Sequence, residues 1–256
     1  MIKISNLEKS FNGNKVLSDI SVTFKAGKTN LIIGRSGSGK TVFLKTIVGL
    51  HEADKGDIWF ENIKFNELDF KGKKEIRKEM GMLFQGSALF DSLTVEQNVS
   101  FPLDMFTDKS QEEKAERVNF CLNRVNIINA NKLFPSELSG GMKKRVAIAR
   151  AISLNPKYLF CDEPNSGLDP MTAILIDELI REITEEYCMT TIVNTHDMNS
   201  VMEIGEMIVF INDGKIAWEG TRHGILKSDC EALNDFVFAN SLAKQVRNSE
   251  NKDNPI

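Results

Sequence analysis

The chain has 256 residues, 41% hydrophobic and 27% charged, with a formal net charge of −4, a composition that fits one globular domain with a large core and room for a subdomain. The slight acidic balance gives no electrostatic reason to expect a nucleic-acid partner. No segment approaches the ~20 apolar residues of a membrane span, and Met1 to Ser5 lacks the apolar core of a signal peptide, so the chain is expected to be cytosolic and free to dock on a membrane protein.

The first thirty residues carry two alternating patterns, Ile2-Lys3-Ile4 and Val22-Thr23-Phe24, on either side of the polar turn Asn12-Gly13-Asn14. They predict an antiparallel β layer. Phe11 sits on the turn side of that layer, where a ring can stack on a base. Leu31-Ile32-Ile33 then runs into Gly34-Arg35-Ser36-Gly37-Ser38-Gly39-Lys40-Thr41, which is G-x-x-x-x-G-K-[ST] placed between a strand and a helix. Its glycines let backbone N–H groups converge on phosphate oxygens, and the following helix adds the positive end of its dipole. Lys40 is placed to reach the β- and γ-phosphates, and the Thr41 hydroxyl to bind Mg²⁺.

Val42 to Leu50 reads as a helix, Lys55-Gly56 as a turn into the strand Ile58-Trp59-Phe60, and Met82-Leu83-Phe84 as a short strand ending at Gln85. From about residue 86 to 150 the pattern is helical, an insertion into the α/β core. There Ser110-x-x-Glu113 is a capping box, and Ala115, Val118, Leu122 and Val125 mark one buried face. The core resumes at Tyr158-Leu159-Phe160-Cys161, a run suited to a parallel strand buried on both faces. Pro170 opens a helix with apolar positions Leu175, Leu179 and Ile183. Thr191-Ile192-Val193 leads into Thr195-His196-Asp197, and a hairpin around Asp213-Gly214 joins Met207–Ile211 to Lys215–Trp218. Ser228-x-x-Glu231 starts a last helix carrying Leu233, Phe236 and Val237. Residues 1–240 form the domain and 241–256 a polar tail, disordered from about Arg247. Cys121, Cys161, Cys188 and Cys230 form no C-x-x-C pair, which favours free thiols over disulfides or zinc ligation.

Several apolar runs end in a group suited to phosphate chemistry. In an open α/β sheet, ligands bind outside the carboxyl ends of the strands, so the phosphate loop, Gln85, Asp162-Glu163 and His196 can meet at one site. Asp162 fits the carboxylate that holds Mg²⁺, and Glu163 is placed to polarise the attacking water. His196 is placed to donate to the γ-phosphate. A second anion-binding device follows Leu138: Ser139, Gly140 and Gly141 open a helix that carries Met142, Val146, Ala149 and Ile152 on one face. One triphosphate does not need two such devices from one chain. A symmetric dimer resolves this, with each subunit's second device closing on the nucleotide of the other.

With these residues in place, the chain resembles the ATPase subunit of an ABC (ATP-binding cassette) transporter over nearly its whole length. The motifs occur in that family's order: GRSGSGKT, Gln85 of the Q-loop, LSGGM as the signature, YLFCDEP as Walker B, Ser166-Gly167-Leu168-Asp169 as the D-loop, and His196 of the switch. The resemblance implies a P-loop ABC nucleotide-binding fold, with a mainly parallel sheet, an antiparallel β layer and an inserted helical subdomain. It implies ATP and Mg²⁺ as cofactors. Lys40, Gln85, Glu163 and His196 are the implied catalytic residues; Gly34 to Thr41, Ser139 to Gly141 and Asp169 bind nucleotide; Thr41, Gln85 and Asp162 hold the metal. Phe11 takes the place of the aromatic, often Tyr, that stacks on adenine.

The signature ends in Met142 where the family usually has Gln. LSGGM followed by KKRVAIARA, together with MLFQGSALFDSLTVEQNVSFPL from Met82 to Leu103, looks like the Mla-type (maintenance of lipid asymmetry) branch that works with mammalian-cell-entry lipid-binding proteins. This implies a homodimer on the cytoplasmic face of the inner membrane. It would energise a phospholipid permease through Gln85 and Ala88-Leu89-Phe90, with a lipid-binding protein and a small accessory protein as further partners. A cell-division type ABC regulator, a nutrient-importer ATPase and a soluble ABC protein acting on ribosomes or DNA are the rival readings. The single cassette and the lack of basic excess argue against the last, and Met142 is the main feature against the nutrient importer.

Overall fold

The structure is a computed structural model and describes residues 1–238. The expected tail, 241–256, lies outside the described residues. The chain opens with β1 (Ile2–Phe11) and β2 (Asn14–Phe24), which pair antiparallel with Ile2 opposite Phe24 and Ile4 opposite Val22. Asn12 and Gly13 both take positive φ, 50° and 80°, the conformation that two-residue hairpin turns require. After β3 (Lys28–Ile33) and α1 (Lys40–Ile47), β4 (Lys55–Phe60) and β5 (Ile63–Lys64) complete a four-stranded antiparallel sheet in the order β2-β1-β4-β5. Lys55-Gly56, expected as a turn, already belongs to β4, with Lys55 paired to Glu8.

The second sheet has six strands. Behind α2 (Phe70–Lys78) come β6 (Met80–Leu83), then α3 (Val95–Phe106), α4 (Gln111–Arg124) and α5 (Gly140–Ile152), and then β7 (Tyr158–Asp162). There follow α6 (Pro170–Glu186), β8 (Thr190–Thr195), α7 (Met198–Ile204), the hairpin of β9 (Met207–Asn212) and β10 (Lys215–Gly220), and the short helices α8 (Arg222–Ile225) and α9 (Glu231–Val237). The order is β10-β9-β3-β8-β7-β6, parallel from β9 to β6 and antiparallel only at β10.

The continuous apolar runs follow from burial on both faces of this sheet. Leu31, Ile33, Leu159, Cys161 and Val193 point into a core shared with α3 to α6. Their neighbours Ile32, Phe160 and Ile192 point the other way, into a core shared with α1 and the antiparallel sheet. A strand in that position alternates between two apolar environments, so its sequence shows no polar face. The helical region between β6 and β7 packs on the first core.

Two expected faces and one expected cap differ in part. On α4 the Ser110 capping box forms as expected and Val118, Leu122 and Val125 are buried as expected, but Ala115 is exposed and Cys121 joins the buried face. On α6 the buried stripe is Ala173, Ile176, Ile180 and Ile183, while Leu175 faces solvent. One residue along a helix is a rotation of about 100°, enough to turn Leu175 away from the sheet. Ser228 does not cap α9: the N-cap is Cys230, and the Ser228 hydroxyl accepts from the Cys230 N–H at 3.1 Å.

Candidate functional site

The parallel ladder sets the carboxyl ends of four strands side by side: Leu83 pairs with Cys161, Asp162 with Asn194, and Ile33 with Thr195. From that edge the phosphate loop, Gln85, Glu163 and His196 converge on a cavity of about 750 Å³. Arg35, Ser36, Gly37, Gly39, Lys40 and Thr41 line it, and so do Val16 and Phe236.

Backbone geometry explains why the loop needs glycine at its start. Gly34 has φ 154°, and a Cβ there would lie 2.3 Å from the Ile211 carbonyl oxygen and 2.7 Å from Ser38 Oγ. Lys40 is buried, and its ammonium donates to the carbonyls of Gly34 at 2.8 Å and Arg35 at 3.1 Å. Burial lowers its pKa, and the charges of Glu163 and Asp162 oppose that shift. Ser38 Oγ is buried without a hydrogen-bond partner, as expected of a hydroxyl built to meet a ligand.

Asp162 is buried at the end of β7, where it accepts from the Thr41 hydroxyl at 3.1 Å and from Asn194 Nδ2 at 3.1 Å. Thr41 and Asp162 together offer hard oxygen donors beside a phosphate cradle. That donor set fits Mg²⁺, which is usually held by one or two protein oxygens, substrate phosphates and water. Among the described residues no cluster of three His, Cys, Asp or Glu could hold a metal without a substrate.

Glu163 has φ 49°, a left-handed conformation that a non-glycine residue adopts at a cost. Its N–H donates to the Asn194 carbonyl at 3.0 Å. His196 lies 3.0 Å from Glu163, Nδ1 to Oε1; an ionised carboxylate only accepts, so Nδ1–H is the donor and Nε2 is left for a further contact. Gln85 Nε2 reaches Ser166 Oγ at 3.4 Å. An adjoining cavity of about 560 Å³ shares Glu163, His196 and Phe236 and extends along Asn165, Ser166 and Gly167.

Phe11 stands at the tip of the first hairpin, 38% exposed, with its ring 5.2 Å edge-on from His51 and the Lys9 ammonium 5.1 Å from its centroid. It does not line the cavity; Val16, across the same hairpin, does. Sequence reading missed Val16 because a valine two residues past a turn carries no chemical signal of its own. Phe236 packs on Phe210 with centroids 5.4 Å apart, which brings α9 to the cleft.

The second anion-binding device is elsewhere. Ser139, Gly140 and Gly141 line a separate cavity of about 670 Å³ with Arg145, Gly167, Leu168, Asp169 and Thr172. Ser139 caps α5 by accepting from the Met142 N–H at 3.2 Å. Asp169 caps α6, accepting from the Thr172 N–H at 3.0 Å and its hydroxyl at 2.6 Å, bonds that hold its carboxyl below the usual range. A Cβ on Gly141 would lie 2.7 Å from Thr172 Cγ2, so glycine lets the two helix starts approach. The chain therefore does not bring Ser139 to Gly141 or Asp169 to its own phosphate loop.

A family model described as ABC transporter matches residues 17–166, more than half of the chain. The chain belongs to this family. It is 34% identical over 252 residues to the probable ribonucleotide transport ATP-binding protein mkl of Mycobacterium tuberculosis, an alignment covering 98% of this chain and 70% of that protein. The methionine import ATP-binding protein MetN of Clostridium acetobutylicum is 40% identical over 220 residues, covering 86% and 68%. Among solved structures, the dimeric post-hydrolysis state of the ATP-binding cassette MJ0796 bound to ADP and Pi superposes with TM-score 0.79 at 34% identity, covering 87% of this chain and 99% of that one. The cbiO1 subunit of Clostridium perfringens, part of the transporter complex cbiONQ, gives 0.83 at 28% identity over 96% and 98%. The cassette is thus an ABC-type P-loop ATPase that takes ATP with Mg²⁺.

Proposed function

We propose that two copies of this cassette bind two ATP molecules between them and that their closure drives a membrane permease. The observation that carries this is the separation of the two anion-binding devices: the phosphate-loop cavity and the signature cavity open at different places on one chain. Exposed apolar side chains beside the signature and D-loop, Ile128 at 67% and Met171 at 70%, support a surface that a second copy covers.

In each composite site the phosphate loop and Lys40 hold the β- and γ-phosphates, and Ser139 to Gly141 of the second copy close over the γ-phosphate. Thr41 and Asp162, with Gln85, hold Mg²⁺, which when bound neutralises charge on the phosphate oxygens. Glu163 orients and polarises the attacking water, held by its bond from His196; for His196 also to donate to the γ-phosphate through Nε2, both of its ring nitrogens must carry hydrogen. Val16 on the cavity wall receives the adenine, and Phe11, exposed at the tip of the same hairpin, stacks on it from beyond the cavity's edge.

Closure is coupled to a permease through Gln85 to Phe90. Phe90 is exposed and packs on Phe101 at 4.7 Å, and Phe101, Met105 and Phe106 extend an apolar surface along α3. Among the described residues no helix is long and apolar enough to cross a membrane; the proposed place of the subunit is peripheral, held on the cytoplasmic face by its permease. Phospholipid is the proposed cargo, on the strength of LSGGM and the stretch Met82 to Leu103, with a mammalian-cell-entry lipid-binding protein and a small accessory subunit as further partners. The similarity to proteins named for ribonucleotide transport and methionine import favours a second reading, a small-solute importer. Purification of the intact complex from membrane separates them. Recovery with a permease, a lipid-binding subunit and bound phospholipid supports the lipid reading; recovery with a solute-binding protein or cell-wall machinery overturns it.

A further inference from the structure

Two residues past the signature, α5 carries a lysine in a place where an ammonium is costly. Lys144 is 4% exposed, and taking an ammonium out of water costs several kcal/mol unless its bonds are replaced. An apolar side chain would fill the same volume at no such cost, and Val146, Ala147, Ile148 and Ala149 of the same helix are fully buried. What distinguishes Lys144 is what it holds. Its Nζ donates to the main-chain carbonyl of Gln85, and it reaches the main-chain carbonyl of Glu163 at 3.4 Å.

Those two carbonyls lie just past the ends of β6 and β7, so one side chain of the helical region braces the segments that follow two of the strands building the edge. At Glu163 the bracing is two-sided. The N–H donates to Asn194 at the end of β8, and the carbonyl, which also accepts from the Ser166 N–H at 3.2 Å, faces Lys144 from α5, with the left-handed residue between them. A strained conformation persists only where its surroundings over-determine it. The same helix grips the next part of the Gln85 loop: Arg150 donates to the carbonyls of Ser87 at 2.9 Å and Ala88 at 2.7 Å and lies 5.8 Å from the Phe90 ring. Ser87 and Ala88 both have positive φ, 64° and 48°, so this loop too is held in shape by α5.

We propose that Lys144 is a positioning residue for hydrolysis: by holding the main chain of Gln85 and Glu163 together, it makes the aim of the Glu163 carboxylate depend on where α5 sits against the sheet. A shift of α5 is then delivered to Glu163 of the same chain, whether it starts at Ser139 on the partner's nucleotide or at the loop 85–90. One helix thus serves two ATP sites, its first turn closing the partner's and its buried lysine setting its own. This inference rests on the reading of Glu163 as the residue that polarises water.

The test uses the full chain and three variants. Lys144→Met keeps length and removes the charge; it should fold with an unchanged or raised melting temperature, hold KM for ATP within about twofold, and lose about tenfold or more in kcat, the size of effect that misaiming a catalytic group produces. Lys144→Arg, which keeps charge and donors, should recover most of that loss. Combined with Glu163→Gln, Lys144→Met should change residual single-turnover hydrolysis by less than about twofold, because residues acting as a unit are not additive. Should Lys144→Met fail to fold, Lys144→Gln, with one neutral donor, should show a smaller kcat loss at unchanged KM. Wild-type kcat in the folded variant, a parallel fall of kcat, ATP affinity and melting temperature, or full additivity with Glu163→Gln would each overturn the proposal. If Glu163→Gln alone kept wild-type turnover, the reading of Glu163 would fail, an outcome separate from the Lys144 single-variant result.

Discussion

The two surfaces proposed to bind anions differ in how completely they are built. At the carboxyl edge of the parallel sheet nearly every polar group is cross-braced from another element: Lys40 to the loop carbonyls, Asp162 to Thr41 and Asn194, Glu163 to Asn194 and His196. At the signature surface, Ser139 and Asp169 use their side chains to cap their own helices, and the neighbours Ile128 and Met171 are apolar and exposed. A braced edge is preorganised for chemistry, because its donors and acceptors need not reorganise when charge moves. A surface of capped helix ends ringed by exposed apolar side chains is preorganised for contact. On the proposed function, the difference is that between a catalytic half and a closing half of a divided site.

Substitutions at the braced edge should have the larger effects. Glu163→Gln should lower turnover by about a thousandfold, roughly 4 kcal/mol in the barrier, while ATP binding survives and the closed dimer accumulates; steady-state hydrolysis alongside ATP-dependent size exclusion checks both halves of that statement. Gly34→Ala places a methyl on the Ile211 carbonyl and should cost more than about 2 kcal/mol of stability together with ATP binding, measured by chemical denaturation and nucleotide titration. A variant as stable as the parent would mean the loop is not held as the contacts indicate.

Beneath the D-loop, Asp177 gives a pH-dependent prediction. It is 2% exposed, and burial pushes its carboxyl from 3.8 up to about 6, with Ser200 and Asn165 opposing and Asp197 and Glu203 adding to the shift. Because the folded pKa lies above the unfolded value, the protonated form is favoured by folding. The stabilisation it gives is full below about pH 4 and is lost as pH rises through 6, roughly 3 kcal/mol in all. Asp177→Asn should flatten stability between pH 4 and 7 and raise it at pH 7.5; an unchanged slope in thermal melts across that range would exclude Asp177 as its source. The smallest effect is expected at the hairpin tip. Phe11→Ala should raise KM about fivefold, about 1 kcal/mol of ring contact, with Phe11→Tyr near parental; a Phe11→Ala enzyme with unchanged KM would take the ring out of the adenine site.

The braced edge was largely legible in the sequence because its chemistry fixes residue identity at fixed spacing. A lysine after G-x-x-x-x-G offers a compact charge to phosphate oxygens, and an Asp-Glu pair after four apolar residues stands out from a buried strand. The helix faces were less legible. Leu175 is one position off the true stripe of α6, and hydrophobicity alone does not say which of two adjacent faces meets the sheet. Lys144, Asn194 and Val16 carried no signal at all, since what each does arises only when distant segments meet. A lysine within KKR reads as a solvated charge until the Gln85 and Glu163 carbonyls are seen around it.

The divided site is tested most directly by counting ATP occluded in mixed dimers, all subunits carrying Glu163→Gln so that nucleotide stays trapped. In one dimer Lys40→Ala is placed on one subunit and Ser139→Arg on the other; in a second dimer both changes lie on the same subunit, opposite an otherwise intact one. A site shared between chains predicts one trapped ATP in the first dimer, where an intact loop faces an intact signature, and none in the second. One trapped ATP in the second dimer and none in the first would contradict it.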